Sequence, residues 1–198
     1  MKNNETTTKR LELILPLIFT LAYTAFYIIR PGNLSMFKFW GSMLLSFALY
    51  ALTSYKKAPD PDRVLPLFLL AIGVQILHFT EEFISQFYIR WFTEITHKEP
   101  FSVNNFVMNQ MTVYFLFIIA AIGIYKKWKI TQLLVWYMII MMLLVNAIQH
   151  PILAIATKGY FPGLYTSFFG IILGPVLFKR MWEVRGKKRN MVKLSVQE

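Results

Sequence analysis

His78-Phe79-Thr80-Glu81-Glu82 places three ionisable side chains within five residues, directly after an almost wholly apolar run from Leu65 to Leu77. On a helix, offsets of three and four residues return to one face. Glu81 and Glu82 therefore come back beside His78, about 60° to one side and about 40° to the other. Imidazole nitrogens and carboxylate oxygens are ligand types for zinc, iron and manganese, and they also serve as general acids and bases. Inside a membrane, three such groups are costly unless they face protein, water or an ion.

Two further motifs offer partners. Asn146 and His150 stand four residues apart and Gly163 and Thr166 three apart, with Tyr160 and Pro162 just before the second pair. His78, His150 and the two carboxylates provide two nitrogen and up to four oxygen ligands for a divalent metal, zinc, iron or manganese. Read sharply, His78, Glu82 and His150 are metal ligands that leave a position open for water. Glu81 and Glu82 are then the candidate catalytic carboxylates. Asn146, Asn105, Tyr160, Gly163 and Thr166 surround that centre or touch a substrate. Two carboxylates this close do not both stay charged in a poorly solvated place without a cation beside them. Read plainly, the same residues are a His–Glu network tying helices together, with Asn146 and Thr166 donating between helices.

The elements that must position these residues read as membrane helices. Of 198 residues, 56% are hydrophobic and 16% charged, where a soluble domain carries about 45–50% and about 25%. No polar stretch is long enough for a second domain, so residues 1–198 read as a single transmembrane unit. Cysteine is absent, which excludes disulfides, thiolate metal sites and a cysteine nucleophile. The net charge of +11 arises from short clusters between apolar runs. That is the pattern of membrane topology, and no nucleic-acid partner is expected. No Gly-rich phosphate loop is present, so no nucleotide cofactor is expected either.

Apolar runs extend from Leu11 to Ile29, Met36 to Ser54, Val64 to about Phe83, Val103 to Tyr125, Ile130 to about Ile148, and Leu164 to Phe178. Helices of about 20 residues match a hydrocarbon layer of about 30 Å. The first run is too long for a signal peptide and lacks a small-x-small cleavage pattern. Arg30-Pro31-Gly32-Asn33 is turn chemistry, and the fifth run can continue to Thr157 beyond a kink at His150-Pro151. With both termini cytoplasmic, every Lys and Arg except Arg30, Lys38, Arg90, Lys98 and Lys158 lies inside, including the basic tail 179–198. These patterns predict an all-α bundle of six transmembrane helices in the cell membrane, with N- and C-termini cytoplasmic. Trp91, Phe92 and Trp182 read as interfacial anchors, His97 as a solvated loop residue, and Met138 to Met142 as adaptable packing.

Topology then sets depth. The third span runs outward, placing His78 about 21 Å along it at about 1.5 Å per residue. The fifth brings Asn146 and His150 to a similar level. The fourth begins there with Asn104, Asn105, Asn109 and Gln110, and the sixth begins there with Gly163 and Thr166. The expectation is a shared polar pocket in the outer half and an inner half nearly free of polar groups.

His78-x-x-Glu81-Glu82, Asn146-Ala147-x-x-His150 and Gly163-x-x-Thr166 resemble, in that order, the three motifs of the membrane-protein family named for its HXXEE motif. Tyr160-x-Pro162-Gly163 is similar to the segment which that family places before its last motif. The resemblance covers about Val64 to Leu177 and implies a membrane fold and these site residues. It implies no reaction, because the family has no assigned activity. Three readings stay open: a metal-dependent hydrolase acting on a lipid-like amphiphile, a proton-coupled carrier or relay, and a structural membrane protein. A dry inner half favours the first, since carriers more often place charges through both halves.

Overall fold

The structure, a computed structural model, describes residues 2–29, 37–100 and 102–183. The turn expected at Arg30–Asn33 and the tail beyond Glu183 lie outside the described residues. Helix α1 (Lys2–Ile29) contains the apolar stretch Arg10–Ile29, and α2 (Phe37–Leu52) follows. Helix α3 (Pro61–Ile84) starts on a proline, whose missing N–H is harmless in a first turn. It stops at Ser85, and Gln86 then adopts a left-handed φ of 59°. The connection between the third and fourth apolar runs folds as short α4 (Phe87–Arg90) and a π-helical turn, Trp91–Ile95. Ser102 caps α5 (Val103–Tyr125) by accepting the Asn105 backbone N–H at 3.2 Å.

The next rod is α6 (Gln132–Tyr137), a π-helical stretch Met138–Asn146, and α7 (Ala147–Ala156). It runs through Pro151 to Ala156, the continuation that the fifth apolar run allowed. All five residues from Met138 to Met142 are buried. Helix α8 (Leu164–Trp182) is longer than expected, taking Lys179 and Arg180 into its last turn. No strand occurs among the described residues.

Among the described residues, four helices are long and apolar enough to cross a membrane: Arg10–Ile29, Pro61–Ile84, Val103–Tyr125 and Gln132–Ala156. Helix α2 is apolar but shorter. Large apolar side chains such as Leu70, Phe115 and Ile172 face outward, while Phe68, Phe117 and Trp136 are sealed within. That surface suits a hydrocarbon solvent.

Helices α1 and α2 run in opposite directions, whereas α1 and the α6–α7 rod run the same way, with Tyr23 meeting Tyr137 further along both. Lys129, before α6, pairs with Glu12 of α1 at 2.9 Å. At the other end of α1, Tyr27 stacks on Phe39 of α2 with ring centroids 5.2 Å apart. His78, Glu82, His150 and Gly163 share one end of the bundle, called the site end below. The opposite end is not dry, which corrects the expectation. Trp136 Nε1 donates to Thr53 Oγ1 at 3.1 Å and Ser54 Oγ at 3.2 Å, all buried, and Gln132 is buried beside them. Single polar residues inside apolar runs carry no sequence signal that they will meet.

Helix α8 approaches the π-helical rod through Gly170 and Gly174, four residues apart, as small residues do in membrane helix pairs. A Cβ at Gly170 would lie 2.8 Å from Ala147 Cβ, and one at Gly174 would lie 3.0 Å from the Leu143 carbonyl oxygen. Gly73 has open space instead. Gly170→Val should therefore destabilise the protein by about 1–3 kcal/mol, read as a lower melting temperature in detergent. Gly73→Ala should not. Equal effects would show that α8 does not depend on this close approach.

Candidate metal centre

Helix α3 presents His78 and Glu82 one turn apart on its buried face, and the π-helical rod brings in His150. These residues are 2%, 3% and 0% exposed. Glu82 Oε1 lies 3.5 Å from His78 Nε2 and 3.4 Å from His150 Nε2. The three ligand atoms lie within 4.8 Å of one another, so His78, Glu82 and His150 form a group that could hold a metal ion. Neither separation is the usual N–H···O distance of about 2.7–3.2 Å. Both lie close to the ~3.3 Å between two ligands that sit ~2.0–2.1 Å from one tetrahedral ion.

Proton positions follow from what each partner can accept. His150 Nδ1 sits 2.6 Å from the Pro162 carbonyl oxygen, an acceptor only, so Nδ1 carries the hydrogen. That leaves the lone pair on Nε2, which is buried with no hydrogen-bond partner. Thr166 Oγ1 lies 2.5 Å from Glu81 Oε2 and 2.8 Å from His78 Nδ1. With Glu81 ionised, Thr166 donates to the carboxylate and accepts from His78 Nδ1–H. Asn146 Nδ2 then donates to His78 Nε2 at 2.9 Å. His150 thus turns a free Nε2 lone pair toward Glu82, the orientation that outer hydrogen bonds impose on metal-ligating histidines, while the Nε2 lone pair of His78 accepts from Asn146 and would have to exchange that partner for an ion. The rings meet edge to face, with centroids 4.7 Å apart.

Glu81 points elsewhere. Its oxygens accept from Tyr160 O–H at 2.9 Å, Tyr165 N–H at 3.1 Å and Thr166 N–H at 2.9 Å, besides the Thr166 hydroxyl. It caps the N-terminus of α8 from another helix, where unpaired N–H groups and the helix dipole favour an anion. The residue at the cap position, Gly163, has no side chain to do this and adopts φ 86°. A Cβ there would fall 2.5 Å from His150 Cε1 and 2.8 Å from His78 Cε1, so the glycine is also the cradle for both imidazoles. Burial pushes the Tyr160 phenol above its ordinary value, which keeps the proton it donates to Glu81.

The structure thus brings together His78, Glu81, Glu82, Asn146, His150, Tyr160, Gly163 and Thr166. It does not bring in Asn105, which is exposed along with Asn104 and Asn109. The Ser102 cap turns Phe106 inward against Phe83 and Tyr88, and the neighbouring asparagines consequently face out. His97 is exposed in its loop. Two neighbours of the site escaped the sequence reading. The Phe87 ring lies 5.7 Å from that of His150, and nothing in its local pattern marks it. Lys38 Nζ donates to Gln149 Oε1 at 2.7 Å; its signal is a basic residue set among Phe37, Phe39 and Trp40.

Residues 69–178 match the family described as protein of unknown function with HXXEE motif, and the chain belongs to that family. No curated protein and no solved structure matches it.

Glu81→Gln exchanges a charged acceptor for an amide at a helix N-terminus. It should lower stability by about 1–3 kcal/mol, measured as melting temperature in detergent. Asn105→Ala should stay within about 0.5 kcal/mol of the parent. Equal melting temperatures for all three proteins would remove the capping role of Glu81.

Proposed function

We propose that the chain is a six-span protein of the cell membrane with both termini cytoplasmic. In this reading His78, Glu82 and His150 hold a divalent metal, zinc, iron or manganese, and the centre hydrolyses an amphiphile that enters from the outer leaflet. One observation carries it: the buried, unpartnered Nε2 of His150 aims, with His78 Nε2, at one carboxylate oxygen from 3.4 and 3.5 Å. A sealed lone pair without a donor is costly, and a cation would satisfy it. For the orientation, Arg63, Lys126, Lys127, Lys129, Lys179 and Arg180 gather at the end opposite the site.

A bound divalent ion would polarise a substrate oxygen and make a coordinated water more acidic. The protein's own residues do the positioning. Thr166 and Glu81 hold the proton of His78 on Nδ1, Pro162 holds that of His150 on its Nδ1, and Asn146 steadies His78 from the side. Glu81 has its oxygens engaged by α8 and is a positioning group here. Proton transfer falls to Glu82, which faces the imidazoles. A second reading draws on the chain Glu81–Thr166–His78–Asn146, a continuous hydrogen-bonded path on which protons could pass without any metal.

Metal analysis of the detergent-purified protein separates the two. Wild type should hold stoichiometric metal that is missing from the His78→Ala, His150→Ala double variant. Asn146→Ala should weaken retention about 10–100-fold without abolishing it. A wild type still metal-free after zinc, iron and manganese supplementation ends the hydrolase reading and leaves the relay. For topology, cysteine placed at position 97 should react with an impermeant thiol reagent from outside and cysteine at 127 should not; the reverse pattern overturns the orientation.

A further inference from the structure

Lys38 sits in the first turn of α2 at the site end, half-buried, with its ammonium 4.6 Å from the Trp91 ring centre. Its one hydrogen bond among the described residues goes to Gln149 Oε1, and no carboxylate pairs with it there. An ammonium has three N–H donors, so two remain. On the same amide, Gln149 Nε2 is buried and has no partner. Among the described residues the patch is therefore rich in donors and lacks an acceptor. Arg90, another cation at this end, differs: it is taken up by Glu94 at 2.6 and 3.0 Å.

The patch is continuous with the metal centre. Trp91 stacks on Phe87 with centroids 5.7 Å apart, and Phe87 lies 5.7 Å from His150. Lys38 is also within electrostatic range of Glu82. Beside Gln149, Ile148 and Ile152 stand exposed on the flank of α7, an apolar strip fit for an acyl chain.

We propose that Lys38 and the Gln149 amide bind the anionic phosphate head of an amphiphile, holding it against the Trp91–Phe87 wall so that its adjoining bond faces the His78–Glu82–His150 centre. Several donors and a positive charge match a group with several anionic oxygens. This inference rests on the hydrolase reading, since it names the substrate class for that site.

The test is binding of dioctanoyl phosphatidic acid to the detergent-purified protein, compared with dioctanoyl phosphatidylcholine, with inorganic phosphate as competitor. Wild type and Lys38→Arg should prefer the phosphatidic acid, and Lys38→Gln should lose roughly 10–100-fold of that affinity. Attraction to the other basic residues is common to all variants and cancels in the comparison. Melting temperatures identify a variant that has merely unfolded, and Gln149→Leu, which removes the amide and not the charge, should then also weaken the preference. No preference in wild type, or one unmoved in folded Lys38→Gln, overturns the proposal. Full competition by inorganic phosphate at the same affinity overturns the amphiphile and points to a soluble anion. Metal content is read on the same samples: lost metal with an intact lipid preference removes the hydrolase reading alone, and intact metal with no preference removes the headgroup site alone.

Discussion

The Glu81 carboxylate on the N-terminus of α8 is the contact from which the geometry of the site follows. The first turn of a helix has backbone N–H groups that must find acceptors. The usual solution is a serine, threonine or aspartate at the cap position. That position is closed to any side chain, because the two imidazoles occupy the space a Cβ would need. The cap therefore arrives from α3, and the same stroke locks α3 to α8. Thr166 belongs to both arrangements, giving its hydroxyl proton to Glu81 while receiving one from His78.

Two adjacent carboxylates consequently live in different surroundings. Glu81 is met by donors and serves the backbone, whereas Glu82 faces the Nε2 atoms of the two imidazoles. A helix makes this division possible because successive residues diverge by about 100°. The packing of α8 supports it from further along. Gly170 and Gly174 let α8 lie close to the π-helical rod, which carries the Gly163 end of α8 up to His150. Buried polar groups tolerate little slack, so a small shift of α8 would loosen several contacts at once.

Much of this was legible in the sequence. Apolar runs marked the helices, and α5 falls on the expected residues because Ser102 and Lys126 bound a run free of charge and proline. His78, Glu82 and His150 converge as the i+4 offset and the depth argument require. Harder to see was anything set by contacts between distant helices. The offsets alone allowed both glutamates to face one pocket, and only the placement of α8 divides them. Asn105 looked equivalent to Asn146 by depth, but the Phe106 packing turns it away. Trp136 with Thr53 and Ser54 pair across more than eighty residues, beyond the reach of any local pattern. A lysine near a membrane surface is ordinary, so Lys38 drew attention only once Gln149 and Trp91 were beside it.

The stretch Met138–Asn146 has a consequence for the angular phase of its rod. Each π step turns the chain by less than an α step, since the bonds close over five residues instead of four. Nine such steps accumulate a lag between the two ends. Trp136 is thereby aimed at Thr53 just after α2 while His150 is aimed at Glu82 on α3, two bearings that uniform α winding over the same residues would not reproduce. The site is in this sense conditional on the pitch of a segment that contains none of its proposed ligands.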